Sequence, residues 1–157
     1  MKRSLIFLLL SFFGISSAAL SSNPASSLLV NALIIGRDLN KQPFFLCRVQ
    51  LNGVQEVGIL ASQSSTCILT KGDKLYPSAD FSIPDKREFG LFTWSRNTAG
   101  AITVGSTQDG KPLFLCQSNF NGLLLPGKTW PGFGHCEVVY NGKLLIAELT
   151  YILVSLK

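Results

Sequence analysis

PFFLCRVQLNG at residues 43–53 and PLFLCQSNFNG at residues 112–122 are one phrase written twice, 69 residues apart. The offset holds without a gap well beyond the phrase. It carries Ala32, Gly36, Gly58, Cys67, Lys74, Leu75 and Ile83 onto Ala101, Gly105, Gly127, Cys136, Lys143, Leu144 and Ile152. Thirteen of the 52 positions from 32 to 83 are identical to their partners, where ordinary composition gives about three or four. A long period with only two copies predicts a pseudo-twofold pair of supersecondary units, not a solenoid.

Inside each copy the pattern is strand, turn, strand. Residues 29–35 and 101–104 are apolar and end at Gly36 or Gly105. Residues 44–51 and 113–120 are rich in aromatic and apolar side chains, and each runs into an Asn-Gly pair, the strongest short hairpin signal because both residues tolerate positive φ. Short strands are expected over 67–70 and 136–140, a second Asn-Gly follows at 141–142, and the stretch 144–156, helix or strand by periodicity alone, is read as strand. The expected fold is all-β: two repeats packed with pseudo-twofold symmetry as a sandwich or closed sheet.

Each copy holds two cysteines twenty residues apart. The economical pairing is Cys47 with Cys67 and Cys116 with Cys136, each bridge closing a loop worth roughly 3 kcal/mol of stability. The alternative is four buried free thiols.

Outward of the repeats, Lys2 and Arg3 precede an apolar run from Leu5 to Phe13 and the small residues Ser17, Ala18 and Ala19. This is the layout of a secretory signal peptide over 1–19, the run being shorter than the ~20 residues of a membrane span. Residues 20–157 are then expected to form a single domain of two repeats, about 29–83 and 94–153, joined by a linker near 77–90. The destination is secreted or periplasmic, where disulfides persist. Losing Lys2 and Arg3 lowers the net charge from +5 to +3 with no basic run remaining, so no nucleic-acid partner is expected. No later segment is long and apolar enough to span a membrane. At 46% apolar and 15% charged residues, intrinsic disorder is excluded as the main state.

From Trp94 through AITVG, DGKPLFLC, the Asn121-Gly122 turn, PGK at 126–128, CEVVYNGK and the terminal TYIL, the second copy resembles a DM9 repeat, also known as DUF3421. The first copy, from Ala32 through GRD at 36–38, QPFFLC and Cys67, resembles a more diverged unit of that family. The resemblance implies an all-β, lectin-like tandem pair that binds mannose and mannose-bearing glycans without metal. It also implies two sugar-contacting positions: an acidic residue shortly after the glycine that ends the first strand, and the lysine of PGK. Asp38 fills the acidic position in the first copy, where Ile59 stands at the lysine position. Lys128 fills the lysine position in the second, where Thr107 stands at the acidic position with Asp109 two residues on. Pseudo-twofold packing is expected to bring Asp38 toward Lys128.

A hexose offers vicinal hydroxyls and an apolar ring face, so its site needs charged acceptors and donors beside an aromatic surface. Asp38 would accept hydroxyl protons, Lys128 would donate, and Trp130 would form a stacking wall, ahead of Phe133 and Trp94. The structural alternatives are Asp38 bonding its own turn, Lys128 as a solvated loop charge, and Trp130 packing over the second disulfide.

GLLLPGKT at 122–129 satisfies the Walker A pattern, but a phosphate loop must lead into a helix, and Pro131, Gly132 and Gly134 follow. His135 is the single histidine and abuts Cys136, which leaves hydrolytic and zinc chemistry little support. Asp80, Asp85 and Glu88 fall in the expected linker and are read as solvated. The reading is thus an exported mannose-type lectin, not an enzyme, with no cofactor and no metal. The alternative is a secreted structural or protein-interaction domain, so the partner is a glycan or a protein surface, with a homodimer left open.

Overall fold

The computed structural model describes residues 28–157, and the expected signal peptide lies outside them. The chain forms β1 (Ile34–Arg37), β2 (Pro43–Leu51), β3 (Val54–Ala61), β4 (Cys67–Lys71) and β5 (Lys74–Ser78). A 3-10 turn follows at Lys86–Phe89, then β6 (Phe92–Ser95), β7 (Thr103–Ser106), β8 (Pro112–Phe120), β9 (Leu123–Thr129), β10 (His135–Tyr140), β11 (Lys143–Glu148) and β12 (Tyr151–Ser155). The fold is all-β, in two antiparallel sheets. One is the meander β1-β2-β3-β4-β5; the other runs β11-β10-β9-β8-β12-β6, with β7 also paired to β8. The stretch read as strand over 144–156 forms β11 and β12, with a break at 149–150 and an end at Ser155.

The hairpins form where the sequence places them. Asn52, Asn121 and Asn141 take φ of 49°, 51° and 49°, and the following Gly53, Gly122 and Gly142 take 80°, 83° and 69°, the doubly positive geometry of a tight two-residue turn.

The duplication extends to the register. Ile34 pairs Phe45 and Gly36 pairs Phe44 across an irregular step, and Thr103 pairs Phe114 and Gly105 pairs Leu113 across the same step. Arg48 bridges Ser82 as Gln117 pairs Tyr151, and Ala32 bridges Asp85 as Ala101 bridges Val154. The segment expected as a linker near 77–90 is therefore largely built into the first half: it ends β5, bridges back through Ser82 and Asp85, and turns over the 3-10 segment. Asp85 caps that turn by accepting from the Arg87 amide at 2.9 Å, while Glu88 accepts from the Asp85 amide at 3.3 Å, a reciprocal cap.

Both predicted disulfides are present, Cys47–Cys67 and Cys116–Cys136, with Cα separations of 6.0 and 5.9 Å. Each joins the two strands flanking a middle one, and flat neighbours-but-one would lie about 9.6 Å apart. The ladder must fold over its middle strand. Gly58, opposite Cys47, and Gly127, opposite Cys116, make room for this. A Cβ at Gly58 would come within 2.7 Å of the Cys67 sulfur, and one at Gly127 would overlap the Glu137 carbonyl.

The halves meet about an approximate dyad. β3 packs on β7 as β9 packs on β1, while β3 with β9 and β5 with β11 meet their own counterparts. The central core draws Leu33, Ile35, Leu46 and Val57 from one half and Val104, Leu113, Leu115 and Leu153 from the other. Two smaller cores surround the disulfides, one in each half.

Candidate functional site

The dyad creates two related pockets, each lined by both halves. The first, of about 200 Å³, has Thr107, Gln108, Lys128 and Trp130 from the second half and Glu56, Thr70 and Lys71 from the first. Its counterpart, of about 230 Å³, has Asp38, Leu39 and Phe44 from the first half and Leu125, Val139 and Tyr140 from the second. At the 69-residue offset Thr107 replaces Asp38, Glu56 replaces Leu125, Thr70 replaces Val139 and Lys71 replaces Tyr140. One backbone thus carries two chemistries.

Lys128 is not a solvated loop charge. It sits in β9, a central strand covered by the disulfide core on one side and the other half on the opposite side, and is only 9% exposed. Its ammonium donates to the Thr70 carbonyl at 2.6 Å and lies 3.6 Å from Glu56 Oε2 and 4.0 Å from Glu137 Oε1. Glu137 is brought there by β10, directly opposite Lys128 in the ladder. Glu56 arrives from β3 of the other half. Glu56 Oε2 is buried and accepts no hydrogen bond among the described residues. On the other side of the dyad Ile59, Leu125 and Ile68 occupy the matching positions, so the ionic trio belongs to one pocket alone.

Trp130 follows β9 directly and shares the pocket with Lys128. Its indole stacks on Phe133 with centroids 4.0 Å apart and 15° between planes, and Phe133 meets the His135 ring edge-on. It packs against the central core rather than over the Cys116–Cys136 bridge. Trp130 also borders a second opening, of about 540 Å³, with Pro131, Gly132 and Ile152. Trp94 packs on the central core as well.

Asp38 and Lys128 are not brought together: each belongs to a different pocket of the dyad pair. Asp38 Oδ1 accepts from the amides of Asn40 and Gln42, both at 2.8 Å, so one carboxylate oxygen serves its own turn. Thr107 repeats the role, its hydroxyl accepting from the Lys111 amide at 3.0 Å. Asp109 beside it is held below the usual carboxylate range by the Thr107 hydroxyl and then by Lys111.

Three sequence-level alternatives meet structural facts. Residues 122–129 form a turn residue and strand β9, not a loop before a helix. Cys136 is bonded to Cys116 and offers no thiol to His135. Glu88 pairs with Arg48 at 2.9 Å and Asp85 with Arg87, while Asp80 lends its backbone carbonyl to Ser78.

Glu56, Glu137 and the Thr70 carbonyl were invisible to motif reading. Comparing the two halves position by position exposes the two carboxylates: Ile59 to Lys128, Leu125 to Glu56 and Ile68 to Glu137 are three apolar-to-charged exchanges that converge in space, whereas the Thr70 carbonyl is a backbone group that no comparison of side chains shows.

Residues 83–146 match the family model of the DM9 repeat. No curated protein matches the chain significantly.

Proposed function

We propose, on the premise that the chain carries a DM9 repeat at residues 83–146, that it is an exported, metal-independent carbohydrate-binding protein of mannose type. Its site is the pocket around Lys128 and Trp130. One observation carries this reading: the lysine of PGK and an indole line the same opening, with Thr107 and Gln108 at its edge. That supplies a charged donor, neutral hydrogen-bonding groups and an apolar face, the complement of a hexose. Export is supported by the two disulfides, bonds favoured in oxidising compartments. No helix among the described residues is long and apolar enough to cross a membrane.

The test is retention on a mannan column in the presence of a chelator. Wild type is expected to be retained. Lys128→Met and Trp130→Ala, each first checked for a cooperative melt, are expected to flow through, and Asp38→Ala is expected to behave as wild type because it lies in the other pocket. Flow-through of the wild type overturns the proposal. A second reading, a protein-interaction domain without sugar affinity, is favoured by the commitments of Lys128 to Thr70 and of Asp38 to its turn, and it predicts that outcome.

A further inference from the structure

The pocket of Lys128 carries more negative charge at its floor than its own residues neutralise. Glu56 and Glu137 are each 7% exposed, and among the described residues Lys128 is the one cation within ion-pair reach of either. One carboxylate charge is left over in a place where solvent screens little. The Lys128 ammonium spends its shortest contact on the Thr70 carbonyl, and Glu56 Oε2 lacks any hydrogen-bond donor. Lys71, the other cation lining the opening, is exposed at its rim, where water screens it.

We infer that this pocket takes a sugar bearing a free, protonated amine, a hexosamine unit of a deacetylated aminoglycan, in preference to a neutral hexose. The inference rests on the sugar-binding reading above and names its substrate class. A neutral hydroxyl would supply a donor to Glu56 but leave the excess charge uncompensated. An ammonium supplies both, and a charge-assisted hydrogen bond is roughly twice as strong as a neutral one. The Trp130 ring adds an apolar wall for the pyranose face and attracts a nearby cation through its π-system. The dyad-related pocket has Leu125 in place of Glu56 and lacks this selectivity.

The experiment is calorimetric titration of the mature chain with glucosamine, N-acetylglucosamine and mannose, at about pH 6, where an amine is protonated. N-acetylglucosamine keeps the ring and removes the charge. Glucosamine is expected to bind about ten-fold more tightly than either of the others. Glu56→Gln, the same shape without the charge, is expected to bring all three to within about two-fold of one another. If that variant fails to melt cooperatively, Glu137→Gln carries the same expectation. Equal binding of the three sugars by the wild type, or a preference that survives the glutamine substitution, overturns the amine inference while leaving the lectin reading in place. No binding of any of the three overturns both.

Discussion

Gln117 donates a 2.9 Å hydrogen bond from its side-chain amide to the backbone carbonyl of Ile35, across the boundary between the two halves. Its counterpart 69 residues earlier, Arg48, donates from Nε to the carbonyl of Val104 at 3.0 Å, and Val104 is the counterpart of Ile35. The dyad is therefore written in hydrogen bonds as well as in packing. Each half satisfies a carbonyl in one of the other's two equivalent strands, β1 and β7.

Gln117→Leu removes that donor and leaves the Ile35 carbonyl buried without it. The cost of such a group is about 1–3 kcal/mol. Urea unfolding should show the midpoint falling with the slope unchanged; an unaltered midpoint would mean that the bond holds nothing together.

Gly105 and Gly127 tolerate no side chain, for different reasons. A Cβ on Gly105 would sit 2.5 Å from the Gln55 carbonyl of the other half, and one on Gly127 would overlap Glu137 in its own. Alanine at either position forces backbone apart and is expected to cost about 1–3 kcal/mol or more. Gly127→Ala acts beside the disulfide crossover, Gly105→Ala at the dyad. Thermal melts that match wild type for both would refute the packing described.

Lys128→Met alone strands two buried carboxylates, a change of about 3–5 kcal/mol. Copying the apolar pocket instead, with Glu56→Leu, Thr70→Val, Lys128→Ile and Glu137→Ile together, should recover most of the loss, because a well-packed apolar set commonly replaces a buried ion cluster without penalty. Chemical denaturation of the single and quadruple variants compares them directly. A quadruple variant less stable than Lys128→Met would show that the halves are not interchangeable frames.

Asp85 is lowered from 3.8 to about 2, first by the Arg87 side-chain hydrogen bond and then by the Arg87 amide. A carboxyl with a depressed folded value stabilises the fold above its unfolded value and loses that contribution as pH falls through the folded one. The window is about pH 4 to 2. Asp85→Asn should thus melt below wild type at neutral pH, with the gap closing across that window. A gap independent of pH would assign the effect to packing alone.

The all-β class, the hairpins and the sulfur pairing were legible because they rest on local or repeated signals. Asn-Gly fixes turn geometry within two residues, and a constant 69-residue offset makes each half predict the other. The extent of the first half was less legible. Ser82 and Asp85 read as linker because their pairing with Arg48 and Ala32 joins residues that local periodicity does not connect.

Which side chains share a pocket followed from none of these signals. Asp38 and Lys128 look like halves of one site in the chain, yet the dyad sends Asp38 to Tyr140 and Lys128 to Glu56. Strand alternation says which face a residue occupies. It cannot say what stands opposite when the facing strand comes from the other half. That pairing depends on how two rigid sheets settle against each other, with Gly36 against Pro126 and Gly105 against Val57 setting the approach. The primary structure carries the duplication; the packing of its two products places an ionic floor in one pocket and an apolar one in the other.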